Sequence, residues 1–225
     1  MKLLVDDARI DQIRELYDIY PLDGVTTNPT ILSRAGNDPK AILKEIRDFL
    51  GEEGLLFAQV MGEKAEEMVE DAHVIIKLLG KNTVIKIPSI PEGFKTIKIL
   101  KKEGIISCGT VVYSPMQALL AAKAGASYVA PYVNRIDNLG YDGVKTVKEI
   151  QDILDVHMLD CEVLGASFKN SQQVLELYEY GIESCTCPVD VLKNLVNNPA
   201  VDKAVSDFED SFFKATGKRL MKDIL

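Results

Sequence analysis

Short runs rich in β-branched and other apolar residues alternate along the chain with longer stretches whose apolar residues recur every three or four positions. The short runs are Leu3–Asp6, Gly24–Asn28, Leu56–Met61, Thr83–Pro88, Ile106–Tyr113, Tyr128–Val133, Glu162–Phe168 and Ser184–Pro188. Each reads as a strand, and the stretches between them read as amphipathic helices. Ile42, Leu43, Ile46, Phe49 and Leu50 share one helical face. So do Ala65, Met68, Val69, Ala72, Ile75, Ile76 and Leu79. Gly80, Gly104, Gly125 and Gly181 stand where helices close, as a left-handed capping residue requires.

Strands that alternate with helices pair in parallel through right-handed crossovers. Eight such units predict one α/β domain over residues 1–225, a (β/α)8 TIM barrel. The alternative is a doubly wound open sheet. That fold usually has fewer strands, and its nucleotide-binding form needs a G-x-G-x-x-G turn that this chain lacks. Gly217-Lys218 looks like the end of a P-loop, but Phe212 stands where the first glycine should be. One helix is left over, at 199–216. Its stripe of Val201, Ala204, Val205, Phe208, Phe212 and Ala215 must be buried on its own barrel or on another subunit, and pattern alone leaves both open.

Composition narrows the classes. The chain is 47% hydrophobic and 27% charged, which fits a well-cored globular domain rather than a disordered one. A net charge of −8 argues against a nucleic-acid partner, while leaving room for a local positive site for a small anion. No apolar run is long enough to cross a membrane, and Asp6 and Asp7 come too early for a secretory signal, so the cytoplasm is the expected compartment. Cys108, Cys161, Cys185 and Cys187 are expected to be buried, reduced thiols, since Cys185-x-Cys187 has no partner at zinc spacing. His73 and His157 fall in helical stretches with no metal partner, and neither a metal nor a cofactor is expected.

Chemistry in such barrels sits at the C-terminal ends of the strands. The polar residues there are Asp6, Thr26 with Asn28, Gln59, Lys86, Thr110, Tyr132 and Ser167, from seven of the eight runs. Lys86 is the most informative. In Val84-Ile85-Lys86-Ile87-Pro88 its phase points it into the barrel, where burial disfavours a charged amine and a neutral one can attack a carbonyl. The bland reading is a strand-end lysine reaching to water. Alternation with Leu4 places Asp6 inside as a charge or proton partner and Asp7 nearer a helix cap. Arg135, Ser167 and Lys169 follow neighbouring strands and suit a phosphate; solvated charges, with Asp137 as a partner, are the alternative.

These residues also carry a resemblance. Gly24-Val25-Thr26-Thr27-Asn28-Pro29-Thr30, Phe57-Ala58-Gln59-Val60 and Val84-Ile85-Lys86-Ile87-Pro88 resemble the transaldolase family. So do Gly109-Thr110, Ala130-Pro131-Tyr132-Val133-Asn134-Arg135 and Ala166-Ser167-Phe168-Lys169. The match runs through nearly the whole chain, and the short length is similar to that of the small subfamily. Gln59 with Tyr132 resembles the fructose-6-phosphate aldolases; transaldolases proper usually carry glutamate and phenylalanine there. Cys108 departs from both patterns and bears on fine substrate preference.

The resemblance implies a Schiff base on Lys86, with Tyr132, Gln59, Asp6 and Thr110 as its catalytic partners. Thr26, Asn28, Arg135, Ser167 and Lys169 would bind the sugar phosphate. It implies cleavage and formation of fructose 6-phosphate from dihydroxyacetone and glyceraldehyde 3-phosphate, with transfer of the dihydroxyacetone unit between sugar phosphates as the alternative. A non-catalytic sugar-phosphate-binding barrel and an isomerase without a covalent step are further alternatives. The resemblance also implies a homodecamer of two pentamers in which the last helix packs on a neighbour.

Overall fold

A computed structural model describes residues 1–225. The chain divides into two compact units, Met1–Leu192 and Lys193–Leu225. In the first, eight parallel strands close into a barrel in chain order. They are β1 (Lys2–Asp6), β2 (Gly24–Thr26), β3 (Leu55–Gln59), β4 (Thr83–Pro88), β5 (Ser107–Val112), β6 (Tyr128–Pro131), β7 (Glu162–Gly165) and β8 (Ser184–Cys187). Ten helices alternate with them: α1 (Ile10–Ile19), α2 (Pro29–Ala35), α3 (Pro39–Leu50), α4 (Ala65–Leu79), α5 (Pro91–Lys102), α6 (Pro115–Ala124), α7 (Val133–Asp137), α8 (Gly143–Val156), α9 (Ser171–Tyr180) and α10 (Val189–Asn194), the last ending just past the unit's boundary. The (β/α)8 barrel expected from the alternating pattern is the fold.

The pleat explains how the barrel is filled. Successive residues of a strand face opposite ways, so residues two apart share a face. Leu4, Phe57, Val84, Cys108, Ala130 and Leu164 pack together as an apolar core inside the barrel. Two residues further along the chain from five of these stand Asp6, Gln59, Lys86, Thr110 and, just past the end of β6, Tyr132. The polar tier therefore rests on an apolar floor. Register agrees, since Gln59 stands beside Lys86 across β3 and β4, and Asp6 beside Thr26 across β1 and β2.

Several strands are shorter than the sequence pattern predicts, and each has a local cause. β2 stops at Thr26 because Asn28 caps α2, accepting from the Ile31 N–H at 3.0 Å, with Pro29 at the first helical position. β7 stops at Gly165 because Ser167 adopts φ +61°. β6 stops at Pro131, Tyr132 makes a single bridge to Ala166, and α7 begins at once. In β5 the register slips between Gly109 and Val112, where Val111 has φ +60°. Positive φ is costly for a β-branched residue, and such geometry concentrates near functional sites.

Other expectations need correction. Cys161 is only partly buried, unlike the other three thiols, and all four are free. His157 follows α8 as its C-cap rather than lying inside a helix. Arg47, a charged residue of α3 that the sequence reading did not single out, is 7% exposed. Its guanidinium donates to the carbonyls of Gly51 and Gly54 at 2.8 and 2.7 Å, holding the chain that leads into β3.

The second unit contains α11 (Pro199–Thr216), at the bounds predicted for the extra helix, and a 3-10 turn at Met221–Asp223. No residue of α11 is buried. Its stripe residues Val201, Val205 and Phe208 are 53%, 50% and 74% exposed. No helix of the chain is long and apolar enough to cross a membrane.

The strand that carries Lys86 is held by a close backbone approach. A Cβ added at Gly93 of α5 would lie 1.8 Å from the Pro88 carbonyl oxygen at the end of β4. Gly93→Ala must push α5 away from β4, so urea denaturation should show a loss of about 1–3 kcal/mol, the usual cost of overpacking.

Candidate active site

Lys86 sits in the middle of the polar tier and is 4% exposed. Its Nζ donates to the Thr27 carbonyl at 3.0 Å. Thr27 lies just past β2, and its own N–H and hydroxyl both donate to the Phe57 carbonyl, at 3.0 and 2.9 Å. The carbonyl that receives the lysine is thus fixed by the neighbouring strand. A buried amine without an acceptor would cost about 1–3 kcal/mol, and this contact removes that cost.

Asp6 faces the same space. Burial pushes its carboxyl above the ordinary aspartate range, opposed by Lys86 and by the hydrogen bond from Thr26. Thr26 Oγ1 donates to Asp6 Oδ1 at 2.7 Å and lies 2.6 Å from Thr186 Oγ1. A hydroxyl has one proton, so with Thr26 donating to Asp6, Thr186 must be the donor to Thr26. Asp7 turns the other way. Its Oδ1 accepts from the backbone N–H groups of Ala8 and Arg9, both at 2.8 Å, just ahead of α1.

Tyr132 brings the other side of the site. Its hydroxyl lies 3.0 Å from Thr110 Oγ1. The Tyr113 ring meets it edge-on at 5.6 Å, and the Arg135 guanidinium lies over its face at 4.5 Å. A cation over an aromatic face is held by the ring quadrupole, so Arg135 is aligned without a carboxylate. Asp137, the alternative partner, is engaged by other groups, its two oxygens accepting from Gly143 and Gln173.

One cavity joins these groups. It is lined by Asp6, Asn28, Lys86, Tyr132, Arg135 and Ser167, all singled out in the sequence. Thr26 and Thr110 stand behind this lining and act on it through Asp6 and Tyr132. Gln59 neighbours Lys86 in register and is partly exposed, but it is not part of the lining. Lys169 is not brought to the site. Its side chain is exposed, and only its backbone N–H is engaged, by Gln173 at 2.8 Å.

The sequence reading missed Thr186, Ala130, Leu164 and Ala166, which complete the cavity wall. Thr186 is the contribution of the eighth strand, and a signal existed. It is the central residue of Cys185-Thr186-Cys187 and shares the pleat phase that points inward from β8. Cys108 lies buried beneath the site, and burial pushes its thiol up to about 12. Nowhere do three or more His, Cys, Asp or Glu side chains gather in a way that could hold a metal ion.

Comparison with known proteins bears on the fold and the family. A designed, cube-shaped, highly porous protein cage made by fusing symmetric oligomeric domains superposes with a TM-score of 0.61 at 12% identity, over 99% of this chain and 88% of that one. A likeness at that identity speaks to the fold alone. The family model for transaldolase/fructose-6-phosphate aldolase matches residues 3–223. That span holds the eight strands almost entire and every residue of the cavity, and the chain belongs to the transaldolase/fructose-6-phosphate aldolase family.

Proposed function

We propose that the chain is a class I aldolase that cleaves and forms fructose 6-phosphate through a Schiff base on Lys86. The observation that carries this reading is Lys86 itself: a nearly buried amine, opening onto a cavity shared with a carboxylate, a phenol and a guanidinium. Lys86 Nζ, once deprotonated, attacks the C2 carbonyl of the ketose, and loss of water leaves an iminium. The C4 hydroxyl gives up its proton, the C3–C4 bond breaks, and its electron pair moves into the iminium. Glyceraldehyde 3-phosphate departs, and dihydroxyacetone stays on Lys86 as an enamine. Protonation at carbon and hydrolysis return the free amine.

Roles follow from position. Asp6 and Asn28 hold the lysine and the ketose hydroxyls, with Thr26 orienting Asp6. Tyr132, oriented by Thr110, is the acid/base group, working directly or through a water held with Gln59. Arg135 and Ser167 hold the phosphate. The sequence groups Lys169 with them, but its exposed side chain gives no support for direct contact. Transfer differs in one step only, because the enamine attacks a second aldehyde before it is protonated. A proton donor at the enamine therefore favours cleavage.

Three outcomes test this reading. Borohydride treatment with dihydroxyacetone should add an irreversible mass to the peptide bearing Lys86, and Lys86→Met should abolish it. A wild-type chain that is never trapped would leave a sugar-phosphate-binding barrel as the better account. Tyr132→Phe should keep the trapped adduct, lose cleavage by roughly 100-fold, as for loss of an acid/base group, and raise the ratio of transfer to cleavage; full cleavage activity in this variant removes Tyr132 from its role. The third outcome concerns Asp6. Its raised folded pKa means the folded chain binds that proton more tightly than the unfolded chain, so stability is lost as pH rises from the ordinary aspartate range through the folded value. Asp6→Asn escapes that loss. Thermal melts should show the variant gaining on wild type as pH rises above the ordinary aspartate range, while its activity falls, whereas a pH-independent difference would contradict the buried-charge account.

A further inference from the structure

The anion-binding end of the cavity is built from two pieces that cannot hold their own shape. α7 has five residues, too short to persist alone, since helix formation must first overcome a costly nucleus. Ser167 is held at φ +61°, a conformation that serine does not choose unaided. Arg135 rides on the first piece, and Ser167 is the second.

Both ends of α7 are pinned from outside. At its start, the Val133 and Asn134 N–H groups donate to the carbonyls of Ala166 and Ser167, both at 2.9 Å. At its end, Asp137 Oδ1 accepts from the Gly143 N–H and Oδ2 accepts from Gln173 Nε2, both at 2.7 Å. Gln173 is 9% exposed, and its other amide atom, Oε1, accepts from the Lys169 N–H at 2.8 Å. One amide therefore joins the 167–169 loop to the end of α7. Its orientation is fixed by its partners: a backbone N–H must meet the carbonyl, and a carboxylate must meet the NH2. Gly143 completes the clamp, because a Cβ there would lie 2.1 Å from the Val133 carbonyl oxygen.

We propose that Gln173 and Asp137 are a positioning pair that sets the distance and direction between the Arg135 guanidinium and the Ser167 hydroxyl, and so the affinity for a phosphate dianion. This rests on the reading that Arg135 and Ser167 hold the phosphate. Neither Gln173 nor Asp137 lines the cavity that Lys86 opens onto. The pair acts on phosphate recognition and not on Schiff-base formation.

The experiment is a variant cycle with two readouts. One is the inhibition constant of inorganic phosphate against cleavage. The other is the rate of borohydride trapping with dihydroxyacetone, which carries no phosphate. Gln173→Glu keeps the acceptor for Lys169 but faces Asp137 with a second carboxylate. It should weaken phosphate by about tenfold, as loss of a charged hydrogen bond does, and leave trapping within about twofold of wild type. Adding Asp137→Asn reverses the polarity of the contact and restores every bond: the new amide at position 137 accepts from Gly143 and donates to the new carboxylate at position 173. The double variant should regain phosphate affinity. If Gln173→Glu does not fold, Asp137→Asn alone replaces it in the cycle, since it sets one NH2 against another.

Unchanged phosphate inhibition in the single variant overturns the proposal. So does equal loss of both readouts, or a double variant no better than the single one. Arg135→Ala separates the two layers of inference. If it weakens phosphate while Gln173→Glu does not, the positioning pair is wrong and the phosphate site stands; if it leaves phosphate unchanged, the phosphate site itself falls and takes the pair with it.

Discussion

A lysine inside a barrel of apolar strands needs an acceptor that does not move, and the Thr27 carbonyl is that acceptor. Everything nearby is arranged around the contact. The carbonyl is immobilised because the Thr27 N–H and hydroxyl both bind Phe57 of the next strand. Lys86 is delivered to it by the pleat, standing one tier above Val84 in the apolar floor. β4 is in turn set by Gly93, where α5 touches the strand end. Moving any of these would swing the amine relative to Asp6, the one carboxylate of the cavity wall.

The groups that meet the cavity are few, and most are oriented by a second group outside it. Asp6 is oriented by Thr26, and Thr26 by Thr186. Tyr132 is fixed by Thr110, by the Tyr113 ring and by the Arg135 guanidinium. Hydrogen bonds of this kind are worth little individually, about 0.5–1.5 kcal/mol net, but they remove rotational freedom from side chains that must be in place before a reaction begins. Some of the fold's discomfort also lies at or near the site. Asp6 is held against its preference for water, and Val111 and Ser167 are held against their backbone preferences.

The fold is legible in the sequence because strand and helix periods alternate cleanly, and Lys86 is legible because its phase with Val84 leaves it nowhere to go but inward. What local pattern does not show is where strands stop. Asn28, Tyr132 and Ser167 look like strand residues, yet each lies beyond its strand. A helix cap, a single bridge and a left-handed serine end those strands, and tertiary contacts decide such features. Lys169 misleads for the same reason: the turn at Ser167 leaves its side chain outside the lining of the cavity. Gln173 and Asp137 are 36 positions apart, and neither stands out in composition. The last helix forms at its predicted bounds, and no residue of it is buried.

Ser167 has a consequence for how sequences of this fold can drift. Its backbone geometry is one that glycine adopts freely, while the phosphate contact proposed for it calls for a hydroxyl. Folding and anion recognition therefore favour different residues at one position. A lineage released from the need to bind a phosphate would gain stability by exchanging this serine for glycine. On that reading, a serine retained there would mark selection on the ligand, and not on the barrel.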